Sequence, residues 1–362
     1  MRVFIVFNHP APYKVLFFNE LGKHVDLHVI FERGKASDRN VLFYDQKPLN
    51  FTTHEIKGIN LGKENHLSGG VVKHLKENEY DLIIINGYST LTEMKTLKYL
   101  KKHKIPYAFY VNGGQVRKET RLKYKIKRRL ISGAMAYFSS GEETNNYLMH
   151  YGAPKELIYN YPYSTISDKQ ISSRKKTNKE KRDFWSKKGI NAEKVFICLT
   201  SFIKRKNNEL LLEEWRDQPS ENHLVLVGDG KLKNKYKKYI KKHNLTNVHL
   251  FPFVTQHEGL ELLSYADYGV YVSNYDIYGH VINESLSQGL SIIASDNMNA
   301  TKQLINDDVN ALVYKKGTNF AELLEKLQDK DFYEEAIKTA KNNTIERMVE
   351  THLKIFKEIT KQ

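Results

Sequence analysis

The chain has 362 residues, 57 Lys and Arg against 42 Asp and Glu (formal charge +15), and 40% hydrophobic and 12% aromatic residues. That length exceeds what one core usually holds, so two domains are expected, and the apolar content argues against disorder. A single Cys198 excludes a disulfide framework and suits a reducing, cytosolic setting, and no apolar run reaches the roughly 20 residues of a membrane-spanning helix.

The first apolar run, residues 3–7, leads into a polar turn and is too short for a signal peptide. Folding is therefore expected to begin at residue 1, in a protein neither secreted nor membrane-spanning. Further strand-like runs fall at 26–31, 82–85, 107–111 and 136–139. Residues 91–103 have helical spacing and a basic end that complements the helix dipole. This alternation predicts a parallel sheet with helices on both faces, in a first domain over 1–165.

Residues 166–192 are polar and charge-dense, and read as an interdomain connection followed by a short helix and loop. A second alternating series follows over 193–340. Its strands are expected at 195–200, 223–227, 248–251, 268–272, 291–294 and 311–313. Its helices are expected at 208–214, 231–243, 256–265, 280–288 and 318–327. The final amphipathic stretch, 333–360, is expected to pack back along the first domain, above all from about 340 to 362. The fold class is thus α/β, with two doubly wound Rossmann-like domains facing across a cleft and ligands beyond the carboxyl ends of the strands.

Chemistry concentrates after the strands of the second series. Asp276 in a loop and Glu284 in the next helix are eight residues apart and bracket the helix start. Unpaired amides there suit a phosphate, and the two carboxylates suit sugar hydroxyls. The same acids also suit a plain helix start, favoured by the macrodipole. Lys204, Arg205 and Lys206 lie at another strand-to-helix junction, where a diphosphate would need countercharge. Lys206 is the best-placed point charge there, and Arg205 offers a planar fork. Gly228-Asp229-Gly230 permits a tight turn with close ligand approach, and Asp296 follows another strand without an assigned role.

In the first series, His9, Pro12 and Tyr13 follow the first strand, Tyr88 the third, and Asn112 and Gly113 the fourth. These loops leave one side of the sheet, so acceptor contacts are expected from them. No metal-ligand spacing is present, and no metal or other cofactor is expected. Residues 117–129 carry Arg117, Lys118, Arg121, Lys123, Lys125, Lys127, Arg128 and Arg129 around Leu122, Tyr124 and Ile126. Such a segment suits an anionic lipid surface as well as a solvated helix face. No recurrent nucleic-acid-binding pattern accompanies the charge, so nucleic acid is not expected as a partner.

Together these pieces resemble the retaining GT-B glycosyltransferases of family 4 over nearly the whole chain. Asp276-x7-Glu284, with Tyr278-Gly279 between and Gly289 after, resembles that family's E-x7-E motif. Residues 200–207 resemble its phosphate-binding loop, and Gly228 to Gly230 fills the expected turn. Ala11 to Val15, Phe18 to Leu21, Gly87-Tyr88-Ser89, Ser140-Gly141 and Tyr147 to Gly152 resemble bacterial polysaccharide members.

The resemblance implies that Lys206 and Arg205 stabilise the donor diphosphate, Glu284 binds ribose, and Asp276 contacts the hexose. It places the nucleobase at Phe253–Val254, and the donor sugar and phosphates against the amides of Tyr278, Gly279, His280, Val281 and Ile282. It implies a UDP-sugar donor, front-face transfer with retention and no enzymic base. It further implies a surface-glycan acceptor on a polyprenyl diphosphate lipid, reached from the cytoplasmic, inner face of the plasma membrane. A protein or teichoic-type acceptor, or a non-catalytic GT-B subunit, are the alternatives. Two departures stand out: Asp276 is one methylene shorter than the usual Glu, and Ser201 stands where an Arg is expected, leaving Lys204 or Arg205 to compensate.

Overall fold

The computed structural model describes residues 1–34, 47–61 and 65–361. It divides into two compact units, Met1–Thr165 with Thr344–Gln362, and Ile166–Asn343.

In the first unit the strands are β1 (Arg2–Phe7), β2 (Asp26–Phe31), β3 (Thr52–His54), β4 (Ile59–Leu61), β5 (Asn65–Leu67), β6 (Leu82–Asn86), β7 (Ala108–Val111), β8 (Ala136–Ser139) and β9 (Ile158–Asn160). Seven form one sheet in the order β3-β2-β1-β6-β7-β8-β9, every pairing parallel, while β4 and β5 pair antiparallel apart from it. Parallel strands covered on both faces read as unbroken apolar runs. That is why residues 3–7 and 82–85 were legible: Val3 to Phe7 and Leu82 to Ile85 are all buried. The core beneath them gathers Phe4, Val6, Ile83, Ile85, Phe109 and Tyr137. The helix Leu91–Lys102 starts on a capping box, in which the Thr90 hydroxyl accepts from the Glu93 amide and the Glu93 carboxylate accepts from the Thr90 amide.

Residues 166–192, expected as a connection, cluster with the second unit instead. The Ser172 amide donates to the Ser287 carbonyl at 2.8 Å, and Trp185 Nε1 donates to the Tyr265 carbonyl at 2.9 Å. Trp185 is 1% exposed, on the helix Asn178–Lys187. Phe184 beside it stacks on Tyr265 at 4.1 Å, so two aromatic rings anchor this otherwise charged helix.

The stretch 333–360 also departs from its expected single course. It forms two helices, Tyr333–Lys341 in the second unit and Ile345–Ile359 in the first, restarted by Thr344, whose hydroxyl caps the Arg347 amide. The second of these packs on the helix Pro12–Leu21. Its His352 is 1% exposed, stacked on Phe138 at 5.2 Å, with Nδ1 donating to the Met348 carbonyl at 2.7 Å. Burial pushes its pKa down to about 3, and nearby Lys14 adds to the shift. A depressed histidine pKa means the unfolded chain binds the proton first, so stability is present above pH 6.5 and lost as pH falls toward 3. One such group should cost about 2 kcal/mol between pH 6.5 and 5. Urea titrations over that range should show the loss, and His352→Phe should remove part of the slope.

The second unit's strands are β10 (Lys194–Leu199), β11 (Asn222–Val227), β12 (Val248–Phe251), β13 (Tyr268–Tyr271), β14 (Ser291–Ser295) and β15 (Leu312–Tyr314). Their order is β12-β11-β10-β13-β14-β15, all parallel. The chain thus runs outward from β10 to β12, then returns to β13 on the other side. Between β10 and β13 the strand order reverses, and in such sheets ligands bind at that point, beyond the carboxyl ends. Pairing there covers only Phe196 with Tyr268 and Ile197 with Gly269, so the two strand ends are left to diverge.

Candidate active site

The loops leaving β10 and β13 meet at this reversal point, and they hold the cations and the first acid of the sequence motif. Lys204–Lys206 forms a single 3-10 turn, and Asn207 then takes a left-handed conformation (φ 55°) before the helix Asn208–Glu214. Asn tolerates that region better than most residues. The Arg205 carbonyl accepts from the Asn274 amide at 2.9 Å, which ties one loop to the other.

Across this tie the charges converge. Lys206 Nζ donates to Asp276 Oδ2 in a short ion pair, and Arg205 Nη1 lies 3.2 Å from Asp276 Oδ1. The Arg205 guanidinium also donates to the Tyr275 carbonyl at 3.3 Å. Asp276 is 8% exposed. Burial pushes its carboxyl pKa up, but the charges and hydrogen bonds of Lys206 and Arg205 outweigh that and hold it below the ordinary value. Of the two residues able to offset Ser201, it is Arg205 that reaches this carboxylate; Lys204 and Ser201 are exposed.

Several backbone contacts hold the Asp276 loop in place, and the sequence pattern did not reveal them. The Asp276 amide donates to the Asn297 carbonyl at 3.1 Å, and the Ala300 amide to the Tyr278 carbonyl at 2.8 Å. Asn299 Nδ2 donates to the Ile277 carbonyl at 2.6 Å. Gly279 (φ 94°) lies against Met298, whose Cε would be 2.5 Å from any added Cβ. The run 296–299 after β14 was visible, but only its docking gives Asn299 a purpose. Asp296 itself is half-buried beside that run.

The helix carrying Glu284 is Val281–Ser287, shorter than expected, with His280 as its N-cap. Glu284 is half-buried, and Gln256 Nε2 reaches its Oε1 at 3.4 Å. Tyr278 is buried, its ring 4.9 Å from that of His280, and burial raises its hydroxyl pKa. Of the expected amides, that of Ile282 donates to the Gly279 carbonyl at 3.0 Å, and the Ile282 side chain is wholly buried. Phe253 and Val254 follow β12, Phe253 exposed and Val254 half-buried.

Gly228 is closely packed against the cation loop. Its φ is 150°, and an added Cβ would stand 1.8 Å from the Thr200 carbonyl oxygen. The Phe202 amide donates to the Asp229 carbonyl at 2.8 Å, so the glycine turn is laid directly on the cation loop.

In the first unit the chain order also reverses, between β1 and β6, and the expected acceptor residues leave strands near that point. His9 precedes the helix Pro12–Leu21, with Pro12 at its first turn. The Tyr13 and Tyr163 rings lie 6.2 Å apart, and the Tyr88 hydroxyl makes a short bond to that of Tyr147. Gly113 has a φ of 147°. Asn112 is heavily committed: its Oδ1 accepts from Lys14 Nζ at 3.1 Å and from the Tyr161 hydroxyl at 2.9 Å, and its Nδ2 donates to Asn86 at 3.1 Å. Lys14 is 1% exposed, between the rings of Tyr110 and Tyr163 at 4.8 and 4.7 Å, and burial drives its pKa well down.

The basic segment holds the helix Arg121–Ile131, capped by Thr120. Arg117, Lys118, Arg121, Lys123, Lys125, Arg128 and Arg129 are exposed. Lys127 is the exception: it pairs with Glu119 at 2.6 Å and meets the Tyr151 hydroxyl at 3.2 Å, so it does not face outward. Leu122 and Ile126 are 69% and 50% exposed, one turn apart among the cations. No helix among the described residues is long and apolar enough to cross a membrane.

An uncharacterised glycosyltransferase of Methanocaldococcus jannaschii is 24% identical over 119 residues, which is 32% of this chain. The matched part spans 29% of that relative's length. Across its full length the chain superposes on HepE of Anabaena, solved in complex with UDP (TM-score 0.77, 15% identity, 100% of both chains). It also superposes on WaaG, a glycosyltransferase involved in lipopolysaccharide biosynthesis (TM-score 0.68, 15% identity, 98% of this chain and 99% of that one). At these identities the structural likeness is one of fold. Residues 180–344, most of the second unit, match the family model described as Glycosyl transferases group 1, within a chain whose two Rossmann-like units have the GT-B fold.

Proposed function

We propose that the chain moves a hexose or N-acetylhexosamine from a UDP-sugar to a bacterial surface glycan, with retention and without a metal. The observation that carries this reading is the convergence of Arg205, Lys206 and Asp276 where the second sheet reverses its strand order. In this reading Lys206 and Arg205 neutralise the charge that grows on the leaving diphosphate. Fixed charges in a partly buried site act strongly there, since they need no reorganisation. Glu284 holds ribose hydroxyls, Phe253–Val254 the base, and Asp276 a hydroxyl of the hexose. With the leaving phosphate accepting the acceptor's proton, no side chain is required as a base. Support for UDP comes from the fold shared with HepE, solved with UDP, and for a surface glycan from that shared with WaaG.

A thermal-shift screen tests the donor. UDP at a hundredfold excess over its Kd should add about 2.7 kcal/mol, a rise of several degrees in Tm. GDP should do much less; an equal response, or none to UDP, would sink the assignment.

The acceptor reading places a polyprenyl-diphosphate-linked glycan at the cytoplasmic face of the inner membrane. Its support is the helix Arg121–Ile131, where Leu122 and Ile126 stand exposed between cations as an interfacial anchor requires. Co-sedimentation with vesicles containing anionic lipid should be strong at low salt and weak at high salt. Replacing Arg121, Lys125 and Arg129 with Ser should remove most of it, and Leu122→Ser with Ile126→Ser should weaken it without changing its salt dependence.

A further inference from the structure

The Arg205–Asp276–Lys206 arrangement carries a consequence for how the site is filled. Both cations of the β10 loop converge on one carboxylate, Arg205 on one oxygen and Lys206 on the other. That is also how they would converge on two phosphate oxygens. The carboxylate cannot simply move aside. Its backbone is bonded to Asn297, the neighbouring Ile277 carbonyl to Asn299, and its short side chain keeps the charge close to that backbone. The cations sit on long stems, Lys206 13% and Arg205 45% exposed at the side chain, and can swing to a new anion while Asp276 stays.

Resting on the donor reading above, we propose that Asp276 is an internal counter-anion. It occupies the diphosphate's place between Arg205 and Lys206, and donor binding exchanges one anion for the other. The exchange leaves a carboxylate that is 8% exposed without its cations, which is costly unless new donors arrive. Hexose hydroxyls are such donors, and the spent nucleotide lacks them. Asp276 therefore makes the site discriminate between UDP-sugar and UDP: the intact donor compensates the uncovered acid, and the product does not.

The test measures UDP and UDP-glucose binding by calorimetry to the wild-type chain, to Asp276→Asn and to Asp276→Ser. Removing the internal anion should tighten UDP binding about tenfold or more, tighten UDP-glucose binding much less, and lower transfer. Either variant suffices, so misfolding of one leaves the other to decide. Unchanged or weaker UDP binding in a folded variant overturns the proposal and leaves the donor site standing, with Asp276 as a residue that merely positions Lys206. Absence of UDP binding in wild type and variants alike overturns the donor reading and this proposal with it.

Discussion

Lys206→Ala should lower sugar transfer by about a hundredfold or more, the usual consequence of removing one preorganised group that stabilises developing charge. On the proposed reading the loss should fall mainly on kcat, since Lys206 would face charge that grows as the diphosphate leaves. Glu284→Ala should differ in kind. In the proposed role its ribose contact would be made equally in ground and transition states, so its loss should raise KM about thirtyfold, the equivalent of roughly 2 kcal/mol, with a smaller effect on kcat. Steady-state kinetics on both variants decides the matter. Near-normal kcat/KM in both would remove Lys206 and Glu284 from the donor site and return Glu284 to a plain acid at a helix start. A circular-dichroism melt is the needed control, because Lys206→Ala also deprives buried Asp276 of its closest partner.

Gly228→Ala should be the most damaging single methyl group in the second unit. Its Cβ would meet the Thr200 carbonyl oxygen at 1.8 Å, and a φ of 150° is itself unfavourable for a side chain. The obstacle is backbone, so no rotamer relieves it, and the loop from Thr200 to Lys206 must move. About 3 kcal/mol of stability should be lost, with UDP affinity falling alongside. Gly189→Ala is the matched control. Its φ of 78° is also positive, but nothing lies within 4 Å of the added atom. It should cost only the conformational strain, about 1 kcal/mol. Equal losses in the two variants would show that close packing of the two loops is not what demands Gly228.

The contrast between those glycines marks where reading the sequence stops. Gly228-Asp229-Gly230 was legible as a turn beside a ligand, because glycine pairs after an apolar run signal tight turns. That the neighbouring loop itself demands this glycine depends on a carbonyl 28 residues away in sequence. The helices 208–214 and 256–265 lie where periodicity puts them, and the parallel strands follow from unbroken apolar runs. The edge strands β3 and β9 escaped notice, since three-residue strands carry too few side chains to set a period. The division of 333–360 into two helices escaped as well. Its apolar stripe is continuous, and only Thr344 as a cap marks the restart.

Local order and composition alone determined the alternating α/β architecture and the two Rossmann-like halves, and singled out Lys204 to Lys206, Asp276 and Glu284 as candidates, whereas Phe253 and Val254 entered only through the resemblance. The architecture and the halves rest on periods of a few residues, which the chain carries within itself. Tertiary structure decided which groups meet: that Arg205 rather than Lys204 joins Lys206 at Asp276, that Asn299 steadies the Ile277 carbonyl, and that Lys127 turns inward to Glu119. Those pairings join residues from 8 to 71 positions apart, as between Lys127 and Glu119 or Arg205 and Asp276. The longest of these separations are closed by the twist and strand order of a sheet, which no local pattern encodes.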